Sequence, residues 1–324
     1  MLRFFLLALS ILTTLSAAPA ARAQGQRETY PARPIVMVVP FAAGGPTDIV
    51  ARMIADGMSR VFGQQVSVEN IVGSGGTTAG LRVKRADPDG YTIMMGHLGT
   101  HAAVTGYLPN VYDPVQDFVA VGLAVHAPVA LVVRAGLPAR DMAEFIAYAK
   151  ANVIVMGHAG VGSVSFATCA QLNREIGLAP KSMAFNGTQP AMEALTVGRV
   201  DYMCDQAPSV VSHVAGGKIR VLAVSSQVRI PVLPDAPTAV EAGEPGFALS
   251  SWMGLFAPRD TPPAVVARLN AALGQALQSE ELNARLAAIG VSAPENGERS
   301  QAYFERFVRD EAAHWPEIVK SAAR

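Results

Sequence analysis

No stretch of this 324-residue chain concentrates charge. Lys plus Arg and Asp plus Glu each total 26, so the formal net charge is zero. No basic block interrupts that balance, which excludes nucleic acid as a partner, because phosphate backbones need clustered cations. Charged residues make up only 16% of the chain, a proportion suited to a compact globule rather than a self-repelling disordered one. Long apolar runs are missing too. A membrane-crossing helix takes about 20 apolar residues, and the run from Phe4 to Leu15 stops at about a dozen. Ile35–Val39 and Val129–Val133 are apolar but shorter, bounded by Pro or Arg, and read as buried parallel strands. Cysteine is scarce. Cys169 and Cys204 could pair in an oxidising compartment, and two buried, unlinked thiols fit the sequence equally well.

Catalytic and cofactor motifs are also lacking. No glycine loop is followed by Gly-Lys-Ser/Thr, and none gives a full dinucleotide fingerprint with its acidic partner. His97 and His101 are four apart, but Gly99 between them argues against a helix and no third metal ligand stands out. His158 precedes Gly160-Val161-Gly162-Ser163, yet no Gly-x-Ser-x-Gly elbow occurs, and Ser163 reads better as a helix cap. The expectation is a protein without catalytic residues, metal or cofactor.

What is present begins with an export signal. Arg3 supplies a positive start, the apolar run follows, and Ala21-Arg22-Ala23 offers small residues for cleavage before Gln24. Residues 1–23 are therefore read as a signal peptide, with Ala18-Pro19-Ala20 as an alternative cleavage site. No Cys follows the run, which argues against a lipid anchor. The expected location is the periplasm. The remaining chain of roughly 300 residues exceeds one ordinary core, so two domains are expected.

The body alternates short apolar runs with helical periodicity. Strands are expected at Ile35–Val39, Gln65–Glu69, Tyr91–Met95, Val129–Val133, Val153–Met156, Met183–Phe185, Val200–Cys204 and Ile219–Ser225. Helices are expected from Pro46, after Thr77 or Thr78 as cap, at Asp141–Lys150, from Ser163 to Gly177, from about Pro190, from Pro263 and from about Ser300 to the end. Strand–loop–helix alternation implies α/β architecture with parallel sheet covered by helices.

Four loops share one position, after a strand and before a helix: Phe41–Thr47, Asn70–Thr78, Gly157–Ser163 and Asn186–Gln189. Ligands of open α/β sheets bind at that end. The first turn of a helix has unpartnered N–H groups and about half a positive charge, and glycines let the backbone close around an anion. Such a site takes a carboxylate without Arg or Lys. Asp48 reads as a structural acid in a first helical turn, and Trp252 as core.

The stretch Pro40-Phe41-Ala42-Ala43-Gly44-Gly45-Pro46-Thr47-Asp48 with Ala51-Arg52 resembles the Bug/TctC receptors, the substrate-binding proteins of tripartite tricarboxylate transporters. The likeness continues in Asn70-Ile71-Val72-Gly73-Ser74-Gly75-Gly76, Asp87-Pro88-Asp89-Gly90, Phe185-Asn186-Gly187-Thr188-Gln189-Pro190, Gly198-Arg199-Val200-Asp201, Pro237-Thr238 and Ser251-Trp252. It covers essentially the whole mature chain. The resemblance implies a type II periplasmic binding protein, with two α/β lobes around a cleft, a monomer that closes on a small carboxylate and hands it to membrane subunits. The implied ligand-binding residues are Phe41, Gly44, Gly45, Thr47, Gly73, Ser74, Gly75, Gly76 and Thr77, with His97, from one lobe. From the other come Gly160, Gly162, Ser163, Gly187, Thr188 and Asp205. The expected lobes are 24–123 plus 227–324 and 124–226, with a further crossing around Pro231–Pro237. Phe166 and Asn186 stand where the family usually has His and a basic residue, and the segment after Lys150 is short. The first two differences point to an acid less charged than citrate, or partly apolar. The other readings are a sensor partner of a signalling system and an envelope enzyme acting on a small acid or ester.

Overall fold

The computed structural model describes residues 30–249 and 251–322; the expected signal peptide lies outside them. Ten strands and ten α-helices alternate along the described chain. In order they are β1 (Ile35–Val39), α1 (Pro46–Phe62), β2 (Val66–Asn70), α2 (Thr77–Lys84), β3 (Thr92–His97), α3 (Val104–Tyr107), β4 (Phe118–His126), β5 (Val129–Arg134), α4 (Met142–Ala151) and β6 (Val155–His158). Then come α5 (Val164–Ile176), β7 (Lys181–Ala184), α6 (Thr188–Thr196), β8 (Tyr202–Gln206), α7 (Ala207–Ala215), β9 (Ile219–Val224), β10 (Trp252–Pro258), α8 (Pro263–Ala276), α9 (Glu280–Ala287) and α10 (Gln301–Ala322).

The strands form two five-stranded sheets, ordered β2-β1-β3-β10-β4 and β7-β6-β8-β5-β9. Each is mixed rather than parallel. β10 runs antiparallel to β3 and β4, and β5 runs antiparallel to β8 and β9. In each case a strand arriving from the other lobe enters from the opposite end. Each sheet carries helices on both faces, as the alternation of elements requires.

Local chemistry explains the elements that frame the site. In α1, Val50, Ala51, Ile54, Ala55 and Met58 are buried, a helical stripe against the first sheet. Pro46 occupies its first turn, Asp48 follows, and Gly63 ends it in the left-handed conformation with φ 65°. The Ser163 side chain accepts the Phe166 N–H to start α5, and Gly177 ends it at φ 66°. α2 starts differently from expectation. A 3-10 turn, Ser74–Gly76, leads into it, Gly76 takes the cap position, and the Thr77 hydroxyl donates back to Ser74 O.

The two crossings between sheets sit close together. Ala127 and Pro128 separate the ends of β4 and β5, and the Ala127 N–H donates to Ser251 O at 2.8 Å, just before β10 begins. Residues 228–240 remain with the second sheet: Thr238 bridges to Val224, and Ile230, Leu233 and Ala236 are packed in the second sheet's outer core. The chain is back in the first sheet at β10, directly after Ser251. One apolar cluster continues across both halves, from Phe118 and Phe256 through Trp252, Phe304 and Trp315 to Phe145 and Tyr202. Cys169 of α5 and Cys204 of β8 form a disulfide with Cα atoms 5.2 Å apart, which settles the alternative left open by their spacing.

Candidate functional site

The four glycine loops meet between the sheets. A narrow inner cavity is lined by Phe41, Pro46, Thr47 and His97 from the first lobe and by Ala159, Ser163, Val164, Ser165, Thr188, Asp205 and Gln206 from the second. A wider groove shares Phe41 and Ala159 with it. Val72, Gly73, Ser74, Gly75 and Gly76 form one wall of that groove, and Gly160 with 184–187 the other. Of the residues expected from sequence, Gly44, Gly45, Thr77 and Gly162 lie beside these two spaces rather than lining them. Pro46, Ser165 and Gln206 line the inner cavity without having been singled out. Pro46 opens α1, Ser165 lies in the first turn of α5 and Gln206 caps α7, and that placement at helix starts is the trace the sequence carried.

Helix starts converge on the inner cavity. Thr47 belongs to the first turn of α1, Val164 and Ser165 to that of α5, and Thr188 opens α6. Gln206 is the cap of α7. Each start contributes unpartnered N–H groups and about half a positive charge. No Arg or Lys lines the cavity.

The loops that flank the groove touch backbone to backbone across the lobes. A β-carbon added at Gly75 would lie 1.6 Å from Val161 O, one at Gly99 2.1 Å from Gly162 O, and one at Gly162 2.5 Å from Gly75 O. Gln189 Nε2 also donates to Gly44 O at 3.3 Å. The Tyr107 ring meets Phe166 edge-on at 6.4 Å while its O–H donates to Gly99 O. Phe166 thus packs the interface from its buried place in α5, and Asn186 lines the groove.

His97 ends β3 and stacks on Phe41 with ring centroids 5.3 Å apart. Its Nδ1 accepts N–H groups from Gly99 at 3.0 Å and Thr100 at 3.3 Å. An acceptor nitrogen carries no proton, so Nε2 carries it, and the ring is a fixed neutral donor. Burial pushes its pKa down to about 3. His101 does not join it. A π-helical turn, Gly99–Ala103, carries that ring into the core, where it stacks on Phe256 at 3.7 Å. The segment is thus helical despite Gly99. Among the described residues no group of three or more potential metal ligands comes together.

Asp205 lies opposite His97 and is fully buried. Its Oδ1 accepts the Gln206 N–H at 2.8 Å, and its Oδ2 has no hydrogen-bond partner. Burial raises its pKa to about 7, against the weaker opposing pull of the Gln206 N–H and the Ser209 and Thr188 hydroxyls.

Ser163 and His158 do not form a nucleophile and base. The Ser163 hydroxyl donates to Gly160 O at 2.7 Å and accepts the Phe166 N–H. His158 is occupied at both nitrogens, by the Gly160 N–H and by the Ser182 hydroxyl. Asp48 is structural. Its oxygens accept from Gly44 N–H, Arg52 and the Asn70 amide, holding the first glycine loop to the start of α1. Trp252 is wholly buried and donates to Glu311.

Known proteins resemble this chain in sequence and in fold. A family profile described as "Tripartite tricarboxylate transporter family receptor" matches residues 50–323. MatC from Rhodopseudomonas palustris, solved with bound malate, is 44% identical, with a TM-score of 0.85 over 90% of this chain and 100% of that one. An R. palustris protein solved with adipate, Rpa4515, is 33% identical with a TM-score of 0.84, over 91% of this chain and 98% of its own. BugT from Bordetella pertussis is 32% identical over 297 residues, 90% of each chain.

Proposed function

The chain belongs to the tripartite tricarboxylate transporter family of receptors, and on that premise we propose that it captures a small carboxylate in the periplasm, closes its lobes over it and delivers it to the membrane subunits of a tripartite transporter. The observation that carries this reading is a cavity built from both lobes, ringed by helix starts and free of basic side chains. The N–H groups at those starts hold one carboxylate. A hydrogen bond to a charged group is worth about 1.5–3 kcal/mol net. Four or five of them, less the cost of association, reach the roughly 8 kcal/mol of micromolar binding. An exposed helix dipole alone, at about 0.3–1 kcal/mol, does not.

The backbone contacts of Gly75 with Val161 and of Gly99 with Gly162 support closure as the mechanism. A ligand touching both lobes favours the closed state by its differential affinity and no more. The absence of basic lining residues, with Phe166 and Asn186 at the interface, favours a mono- or dicarboxylate over citrate. Relatives that bind malate and adipate fit that class.

A thermal-shift panel of malate, adipate, citrate and benzoate tests the reading. Stabilisation by at least one non-citrate acid is expected, with X-ray scattering showing compaction at saturation. An unchanged scattering profile would remove the closure mechanism. Submicromolar citrate binding without binding of aromatic acids would remove the proposed ligand class.

A further inference from the structure

Asp205 is a buried acid facing a site built for acids. We propose that lobe closure captures one proton together with the carboxylate ligand, held on Asp205, which donates it into the cavity as a neutral carboxyl. The inference rests on the receptor reading above and deepens it.

Three observations carry it. Asp205 lines the inner cavity, and its Oδ2 is wholly buried and lacks a hydrogen-bond partner, which leaves that oxygen unspent for a ligand. The cover over it comes from the opposite lobe: Phe41, Pro46, Thr47 and His97 line the same cavity. Parting the lobes returns Asp205 to water, and closing them strips that water away, which penalises the charged form. Finally, nothing facing it supplies a compensating cation. His97 is held neutral by the two N–H groups on Nδ1, and His158 on β6 is occupied at both nitrogens. His213, a turn beyond Ser209 on α7, is bonded to Ser209 O. Asp48 and Arg52 of α1 pair with each other, Glu193 of α6 points to solvent, and Asp201 at the far end of β8 pairs with Arg134. The helix starts favour an anion in the cavity, and an arriving carboxylate is that anion. A second negative charge on Asp205 would oppose it, whereas a carboxyl proton bonds to it.

The sign follows from the closed-state value of about 7. The closed state binds more protons than the open one between the ordinary carboxylate range and about pH 7. Closure is therefore favoured as pH falls through 7 and loses this contribution as pH rises through it.

Calorimetry with L-malate on the mature full chain tests it, at pH 6 in two buffers of different ionisation enthalpy and again above pH 8. Wild type is expected to take up nearly one proton per malate bound at pH 6 and almost none above pH 8. Its affinity should fall by about tenfold or more between pH 5.5 and 8. Asp205→Asn keeps a donor without the titration. Once its thermal unfolding confirms folding, the malate binding it retains should show a flat pH profile and no proton uptake at pH 6. Protons taken up equally by both proteins would come from malate itself and overturn the inference, as would wild-type binding without uptake. If Asp205→Asn does not fold, uptake by the wild type still decides. If malate binds with no proton uptake, only this inference falls. If no acid in the panel binds, the receptor reading falls and takes this one with it.

Discussion

At the scale of single residues, the site depends on positions where a side chain would be an obstruction. Gly75 has φ +63°, and a β-carbon there would sit 1.6 Å from Val161 O, less than half the contact distance of about 3.5 Å. The obstacle is backbone, so no rotamer change relieves it. Gly75→Ala should hold the lobes apart and weaken malate binding by about tenfold to a hundredfold, the equivalent of about 1–3 kcal/mol of overpacking. Gly63→Ala is the matched control. It has φ +65° with nothing within 4 Å of the added carbon, so it should cost about 1–2 kcal/mol of stability and leave affinity intact. Equal losses of affinity in both variants, measured by calorimetry, would mean that strain and not contact between lobes is responsible.

Asp48 works through charge. Burial alone would raise its pKa, but hydrogen bonds from Arg52, the Gly44 N–H and Asn70 outweigh it and hold the carboxyl below its usual value. A depressed folded-state value stabilises above the unfolded pKa, and that contribution disappears as pH falls through the folded one. Wild type should exceed Asp48→Asn by about 1–2 kcal/mol near pH 7, and the gap should close as pH falls through the depressed folded-state value. Urea unfolding across that range reads this, and a gap that persists in acid would show that packing and not charge is responsible.

At the scale of elements, the disulfide ties the middle of α5 to β8, two elements that bring Ser163, Ser165 and Asp205 to one cavity. Closing a loop of 35 residues restricts the unfolded chain by about 3–4 kcal/mol. The double variant Cys169→Ala, Cys204→Ala should lose about that much in urea unfolding; an unchanged midpoint would mean that the bridge adds nothing. Legibility from sequence also divides at this scale. β1, β5, α1 and α5 could be read because their apolar spacing, Pro46, Ser163 and Gly177 are local. β4 and β10 could not, because their pairing joins residues far apart in the chain, such as Trp252 with His126. The return crossing is hard to read from sequence for a similar reason. Pro231, Pro234 and Pro237 mark irregular backbone, but irregular backbone can follow one lobe's edge as well as leave it. The glycine loops were legible as turns from strand to helix. That Gly75 and Gly162 meet each other was not, since their contact joins residues far apart in the chain.

At the scale of the molecule, lobes and charge act together. Net charge is zero, no Arg or Lys lines the inner cavity, and helix starts from both lobes border it. Salt screens exposed charges over a Debye length of about 10 Å at 0.1 M, and buried groups much less. A receptor that drew its anion in with exposed basic side chains would lose affinity steeply as salt rises. On the proposed reading the attracting groups are backbone dipoles inside the cleft, and the overall field steers little because the charges cancel. The affinity for malate should therefore change by less than about threefold between about 0.05 and 0.5 M NaCl at constant pH. A loss of tenfold or more over that range would mean that lysine or arginine at the cleft rim, rather than converging peptide N–H groups, holds the acid.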